Sequence, residues 1–198
     1  MHRPIPTLLT VLATLGSVLG LPGCADDADT SRCQPVSADR REPLIEHDLW
    51  RLAEPSEDPW LAFRPADVSC DPTGRQPEDF AGTYSFGIDT ALCAYTTLIQ
   101  ETATDVCPGE EILVWLWRFA LTGPEGANAH IAAQLGDEPL FEDIIPIPNT
   151  SGLKVETYTA KRFHPAGTPI AFHIRNHGNN TYQLLELSRC QAETCRPN

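Results

Sequence analysis

Residues 112–121 read Ile-Leu-Val-Trp-Leu-Trp-Arg-Phe-Ala-Leu. A strand turns successive side chains to opposite sides. Leu113, Trp115, Trp117, Phe119 and Leu121 then share one face, and Ile112, Val114, Leu116, Arg118 and Ala120 share the other. Both faces are apolar apart from Arg118, which predicts a central strand covered on two sides. The tryptophans have two readings. Packed inside, Trp115 and Trp117 supply buried aromatic area; on an open face, one of them is a flat platform for the apolar side of a sugar ring. Arg118 needs a carboxylate or a solvent edge.

The same pattern of short apolar runs extends outward. Candidate strands are 82–88, 92–99, 112–121, 130–135, 140–145, 153–158, 169–174 and 182–187. Turn residues separate them, among them Asp71-Pro72-Thr73-Gly74, Cys107-Pro108-Gly109 and Gly178-Asn179-Asn180. With 18 prolines, 13 glycines and no long stretch at helical period, this predicts an all-β antiparallel sandwich or barrel. The expected organisation is a signal peptide over 1–23, a flexible tether over 24–45, a β-sandwich over 46–190 and a C-terminal tail over 191–198.

The start of the chain has export architecture: Arg3, then an apolar stretch from Ile5 to Leu19, then Leu21-Pro22-Gly23-Cys24. The apolar stretch is shorter than the ~20 residues a membrane-spanning helix needs. Leu21 to Cys24 resembles the lipobox of bacterial lipoproteins. That resemblance implies lipidation at Cys24 and a membrane anchor in the cell envelope, with the outer membrane favoured by Ala25. The alternative is plain signal cleavage and secretion.

Six cysteines remain beyond Cys24, namely Cys33, Cys70, Cys93, Cys107, Cys190 and Cys195. In an oxidising compartment an even number reads as a disulfide framework with fifteen possible pairings. Cys190 with Cys195 is the expected local loop. Cys70 with Cys93 is the second choice and would leave Cys33 to Cys107. Loss of residues 1–23, with Arg3, leaves 13 basic against 27 acidic residues, a net charge of −14. Nucleic acid is excluded as a partner, because its binding rests on basic residues neutralising phosphates.

Phe172–Tyr182 (FHIRNHGNNTY) places His173 and His177 four apart, with Asn176, Asn179 and Asn180 beside them. In a strand the two histidines point to one side but ~13 Å apart, too far to share a ~2.1 Å-bonded zinc. His130, on another expected strand, could meet either, since laterally paired residues lie ~5 Å apart. Three readings follow for His130, His173 and His177: a metal-dependent enzyme site, a polar binding site, or a strand end whose histidines are satisfied locally. No acidic residue completes a metal site at diagnostic spacing, so the metal is unknown. The three amides suit hydroxyl-bearing ligands. Adjacent acids such as Glu110-Glu111 point to opposite sides and cannot form the facing carboxylates of a glycosidase.

The order of the pieces is similar to that of galactose-binding-like jelly rolls, the sandwich of many carbohydrate-binding modules. The matching residues are Gly82 to Phe86, Leu98-Ile99-Gln100, Val106 to Val114, Phe163 to Ile170 and Leu184 to Ser188. The resemblance implies sugar binding on a concave face or in loops at one end, and a structural calcium. The expected function is a non-catalytic, extracytoplasmic recognition module for carbohydrate using Trp115, Trp117, His130, His173, Asn176, His177 and Asn179. The alternatives are the metal-dependent enzyme and a lipoprotein that docks another protein.

Overall fold

The computed structural model describes residues 33–195. The expected signal peptide and Cys24 lie outside them. Among the described residues eleven strands form two antiparallel sheets. They are β1 (Arg41–Pro43), β2 (Arg51–Leu52), β3 (Arg75–Phe80), β4 (Thr83–Asp89), β5 (Tyr95–Glu101), β6 (Glu111–Arg118), β7 (Asn128–Leu135), β8 (Glu138–Pro146), β9 (Gly152–Thr159), β10 (Pro169–Arg175) and β11 (Thr181–Cys190). The first sheet runs β3-β4-β11-β6-β9, with β1 also paired to β11; the second runs β2-β5-β10-β7-β8. This is the expected all-β sandwich.

β6 lies between β11 and β9, so it is central as its composition requires. Ile112, Val114 and Leu116 enter the core between the sheets, where they meet Leu98, Ile131, Ile170, Phe172 and Leu184. The alternation ends at Arg118. Leu121, expected beside the tryptophans, leaves the ladder, bridges Asn149 and is buried in the core. Arg118 has no carboxylate partner among the described residues and lies half-exposed at the end of β6. It donates to the carbonyl of Thr150 and to Asn149 Oδ1.

The expected tether is shorter than its composition suggests. β1 pairs with the end of β11, Val36 and Ile45 are buried, and Leu44 is in the core, so residues 33–45 belong to the folded unit. β3 escapes the strand pattern because Pro77 interrupts it, which an edge strand tolerates. The disulfides are Cys33–Cys107, Cys70–Cys93 and Cys190–Cys195. Three disulfides mark an oxidising, extracytoplasmic compartment. Among the described residues no helix is long and apolar enough to cross a membrane.

One buried ion pair ties the early segment to the sandwich. Glu110 accepts from the Val36 backbone N–H at 2.9 Å and the Cys107 N–H at 2.8 Å, and Arg189 reaches it at 3.4 Å while also holding Glu42. Both Glu110 and Arg189 are buried. Removing one partner of such a pair leaves a buried charge uncompensated. Glu110→Ala is therefore expected to destabilise the protein by about 3 kcal/mol in urea unfolding. A loss under about 0.5 kcal/mol, the range of ordinary surface substitutions, would show that the pair is not structural.

Candidate functional site

The residues expected to form a site fall on opposite outer faces of the sandwich. Trp115 and Trp117 lie outside the first sheet, on the side of β6 away from the core. His130 and His173 lie outside the second. The strand register pairs Arg175 with His130 and His173 with Ala132, which brings the two imidazoles to 4.9 Å between centroids. His177 stands beyond the end of β10, exposed, its Nε2 accepting from Arg175 at 3.3 Å. It does not join His173. Among the described residues no group of three or more His, Cys, Asp or Glu side chains is placed to hold a metal ion, and this includes any carboxylate cluster for the implied calcium.

His173 is fully buried under a lid that the sequence reading did not contain. The Trp60 ring stacks on it at 5.0 Å, and Tyr95 meets it edge-on at 4.8 Å. Asp58 organises the lid: it accepts from Thr97 Oγ1 at 2.8 Å, from the Trp60 N–H at 2.9 Å and from Tyr95 OH at 2.7 Å. Thr97 has one hydroxyl proton and gives it to Asp58, so it accepts from His173 Nδ1–H at 2.9 Å. His173 Nε2 is left buried without a hydrogen-bond partner among the described residues. The arrangement holds a neutral imidazole in one tautomer, sealed from substrate.

Burial pushes the His173 pKa down to about 3, with the charges of His130 and Arg175 acting in the same direction. The unfolded chain protonates near the ordinary 6.5, so between these limits the unfolded state binds the extra proton. Stability present above pH 6.5 is then lost as the pH falls, at ~1.4 kcal/mol per unit. Urea unfolding between pH 6 and 4.5 should show the wild type losing about 2 kcal/mol more than His173→Phe. Equal losses would mean that His173 does not titrate as a buried neutral group.

The amide-rich loop fastens two turns together. Buried Asn176 donates to Thr90 Oγ1 at 3.0 Å, and buried Asn180 closes a pair of bonds with the Thr122 backbone. A side chain at Gly178, whose φ is +133°, would strike the Thr122 carbonyl. Asn179 alone of the three amides is exposed.

On the first sheet the two tryptophans have different surroundings. The Arg41 guanidinium lies 5.2 Å over the Trp115 ring, held by the Thr194 carbonyl and Glu186. Trp115 also packs on Leu113 and the Cys190–Cys195 disulfide. That end of β6 is covered. Trp117 is half-buried like Trp115, but among the described residues no cation lies over its ring. It adjoins Phe80 at 6.3 Å and Phe119 at 6.2 Å, with Leu153 paired beside it on β9. Phe119 and Leu153 are 42% and 52% exposed. The Trp117 indole nitrogen is buried, so an incoming group meets the ring rather than its N–H.

Next to this aromatic patch runs a row of polar groups. Gln183, the β11 partner of Trp117, accepts from Ser85 Oγ at 3.0 Å and donates to Glu78 Oε1 at 2.5 Å. Gly87 makes room for Glu78, whose carboxylate occupies the space a Cβ would need. Glu78 Oε2 has no protein partner among the described residues. Gln76, Glu78, Gly87 and Asp89 line a depression of about 220 Å3 alongside. Phe80, Glu78 and Gln183 escape sequence reading because they come from β3 and β11, distant in the chain from Trp117.

No protein-family model matches the chain, and no curated protein does. Solved structures of similar shape include TmCBM61 in complex with β-1,4-galactotriose, at 10% identity and TM-score 0.42, covering 76% of this chain and 99% of that one. A Family 16 Carbohydrate Binding Module-2 has 14% identity and TM-score 0.37, with coverage of 63% and 85%. The enzymatically active domain of bacteriophage CBA120 tailspike protein 4 has 13% identity and TM-score 0.44 over 75% of this chain. The match spans only 21% of that tailspike chain.

Proposed function

We propose that the protein is a non-catalytic carbohydrate-recognition domain that binds on the outer face of the first sheet. The observation that carries this reading is the open half of β6: Trp117 flanked by Phe80 and Phe119, next to the fixed carboxylate of Glu78 and the amide of Gln183. Aromatic faces take the C–H side of a sugar ring, and positioned polar groups then fix its hydroxyls. Glu78 Oε2 accepts a hydroxyl proton without any rearrangement of the protein, because Oε1 is already anchored. The covered histidines take no part. The protein is exported and held at the envelope by a lipid on Cys24, so the binding face is displayed outside the cytoplasm.

The test is a glycan array on the purified protein, followed by calorimetric titration of the retained oligosaccharide into wild type and variants. Trp117→Ala should weaken binding at least about tenfold, or ~1.4 kcal/mol, the behaviour of an aromatic hot spot. Trp115→Ala should instead lower stability by about 2 kcal/mol, less than a fully buried tryptophan would cost. Its affinity per folded molecule should hold. No retained glycan, or a Trp117→Ala variant that binds as well as wild type, would overturn the reading.

A further inference from the structure

The other outer face carries a pocket that sugar binding at Trp117 does not use. It has a volume of about 320 Å3 and is lined by Phe63, Asn128, His130, Ile144, Arg175 and His177, among others. That is the lower end of the range for small-molecule sites, which runs to ~1,000 Å3. Phe63 and Ile144 are 47% and 61% exposed and form its apolar walls. Phe63 is set edge-on to His130 at 5.2 Å.

Charge sets the chemistry of this pocket. Arg175 has no carboxylate within ion-pairing distance among the described residues. Its hydrogen bond is to His177 Nε2, which as the acceptor is unprotonated there. Arg175 Nε is buried without a hydrogen-bond partner among the described residues. Glu142, beside the pocket residue His130, is already engaged by His130 Nε2 at 2.8 Å. Arg175 is thus a cation at the pocket wall with no anionic partner among the described residues, and an anion that enters gains an attraction that no protein carboxylate has already claimed. The planar fork of Arg175 fits a carboxylate. The acidic chain and Glu142 disfavour dianions such as phosphate, because repulsion grows with ligand charge.

We propose that this pocket binds the carboxylate of a small ring-bearing monoanion, with Arg175 on the carboxylate, the ring against Phe63 and Ile144, and Asn128 at the rim. Uronic acids and aromatic acids both have this chemistry. The site stands on its own geometry and does not rest on the Trp117 reading.

The test is calorimetric titration of the purified protein with D-glucuronate, benzoate and, as the neutral control, D-glucose. At least one of the two carboxylates should bind ten times or more tighter than glucose. Which one binds identifies the source as a sugar acid or an aromatic acid. Arg175→Gln should lose that binding at least tenfold while retaining the wild-type thermal midpoint. Arg175→Lys should recover part of it, because the charge remains and the fork does not. The proposal is overturned if neither carboxylate binds more tightly than glucose, or if Arg175→Gln titrates like wild type. Should Arg175→Gln fail to fold, Phe63→Ala replaces it, with at least a threefold loss of carboxylate affinity expected and an unchanged titration overturning the proposal.

Discussion

A strand that is apolar on both faces must be covered twice. β6 meets this constraint on its inner side with the whole core, through Ile112, Val114 and Leu116. On its outer side the protein covers only half. The last residues of the described chain fold back through the Cys190–Cys195 disulfide, and Arg41 arrives from the start of the domain to lie over Trp115. Beyond that point Phe119 and Leu153 are exposed beside a half-buried Trp117. Burial of those rings would be favourable by ~25 cal/mol per Å2 of apolar area, so leaving them in water is a standing cost that a ligand removes.

The second sheet handles its outer face differently. The segment around residues 53–64 lies across it, and the Trp60 lid is fixed by the carboxylate of Asp58 rather than by regular structure. The lid turns what the sequence presents as a histidine cluster into a covered, neutral imidazole. It ends near Phe63, where the pocket around Arg175 begins. The two outer faces are therefore half covered in complementary ways: a closed polar network with an open basic pocket on one side, a closed aromatic cap with an open aromatic patch on the other.

Period and turn chemistry made the sandwich legible: the eight expected strands correspond to β4–β11 within a few residues. Cysteine count and spacing led to the three disulfides found. β1 and β2 were too short to show a period, and β3 was hidden by Pro77. The division between Trp115 and Trp117 could not be read, because it depends on where Arg41 and Cys195 arrive from opposite ends of the domain. His130 beside His173 followed from lateral pairing, but the lid came from a stretch without periodicity. Arg175 had a usable signal: alternation puts it on the same side as His173 and His177, between them in the strand.

The central claim is that ligand meets the open half of the outer face of β6. The four tryptophans sample the relevant places: Trp50 the core, Trp60 the lid on the second sheet, Trp115 the capped end and Trp117 the open patch. The most direct measurement is the indole N–H region of a proton–nitrogen correlation spectrum during titration with a retained oligosaccharide. Movement of the Trp117 resonance with the other three nearly still is the predicted result. Movement of Trp60 with Trp117 unchanged would put the ligand on the opposite face and contradict the account.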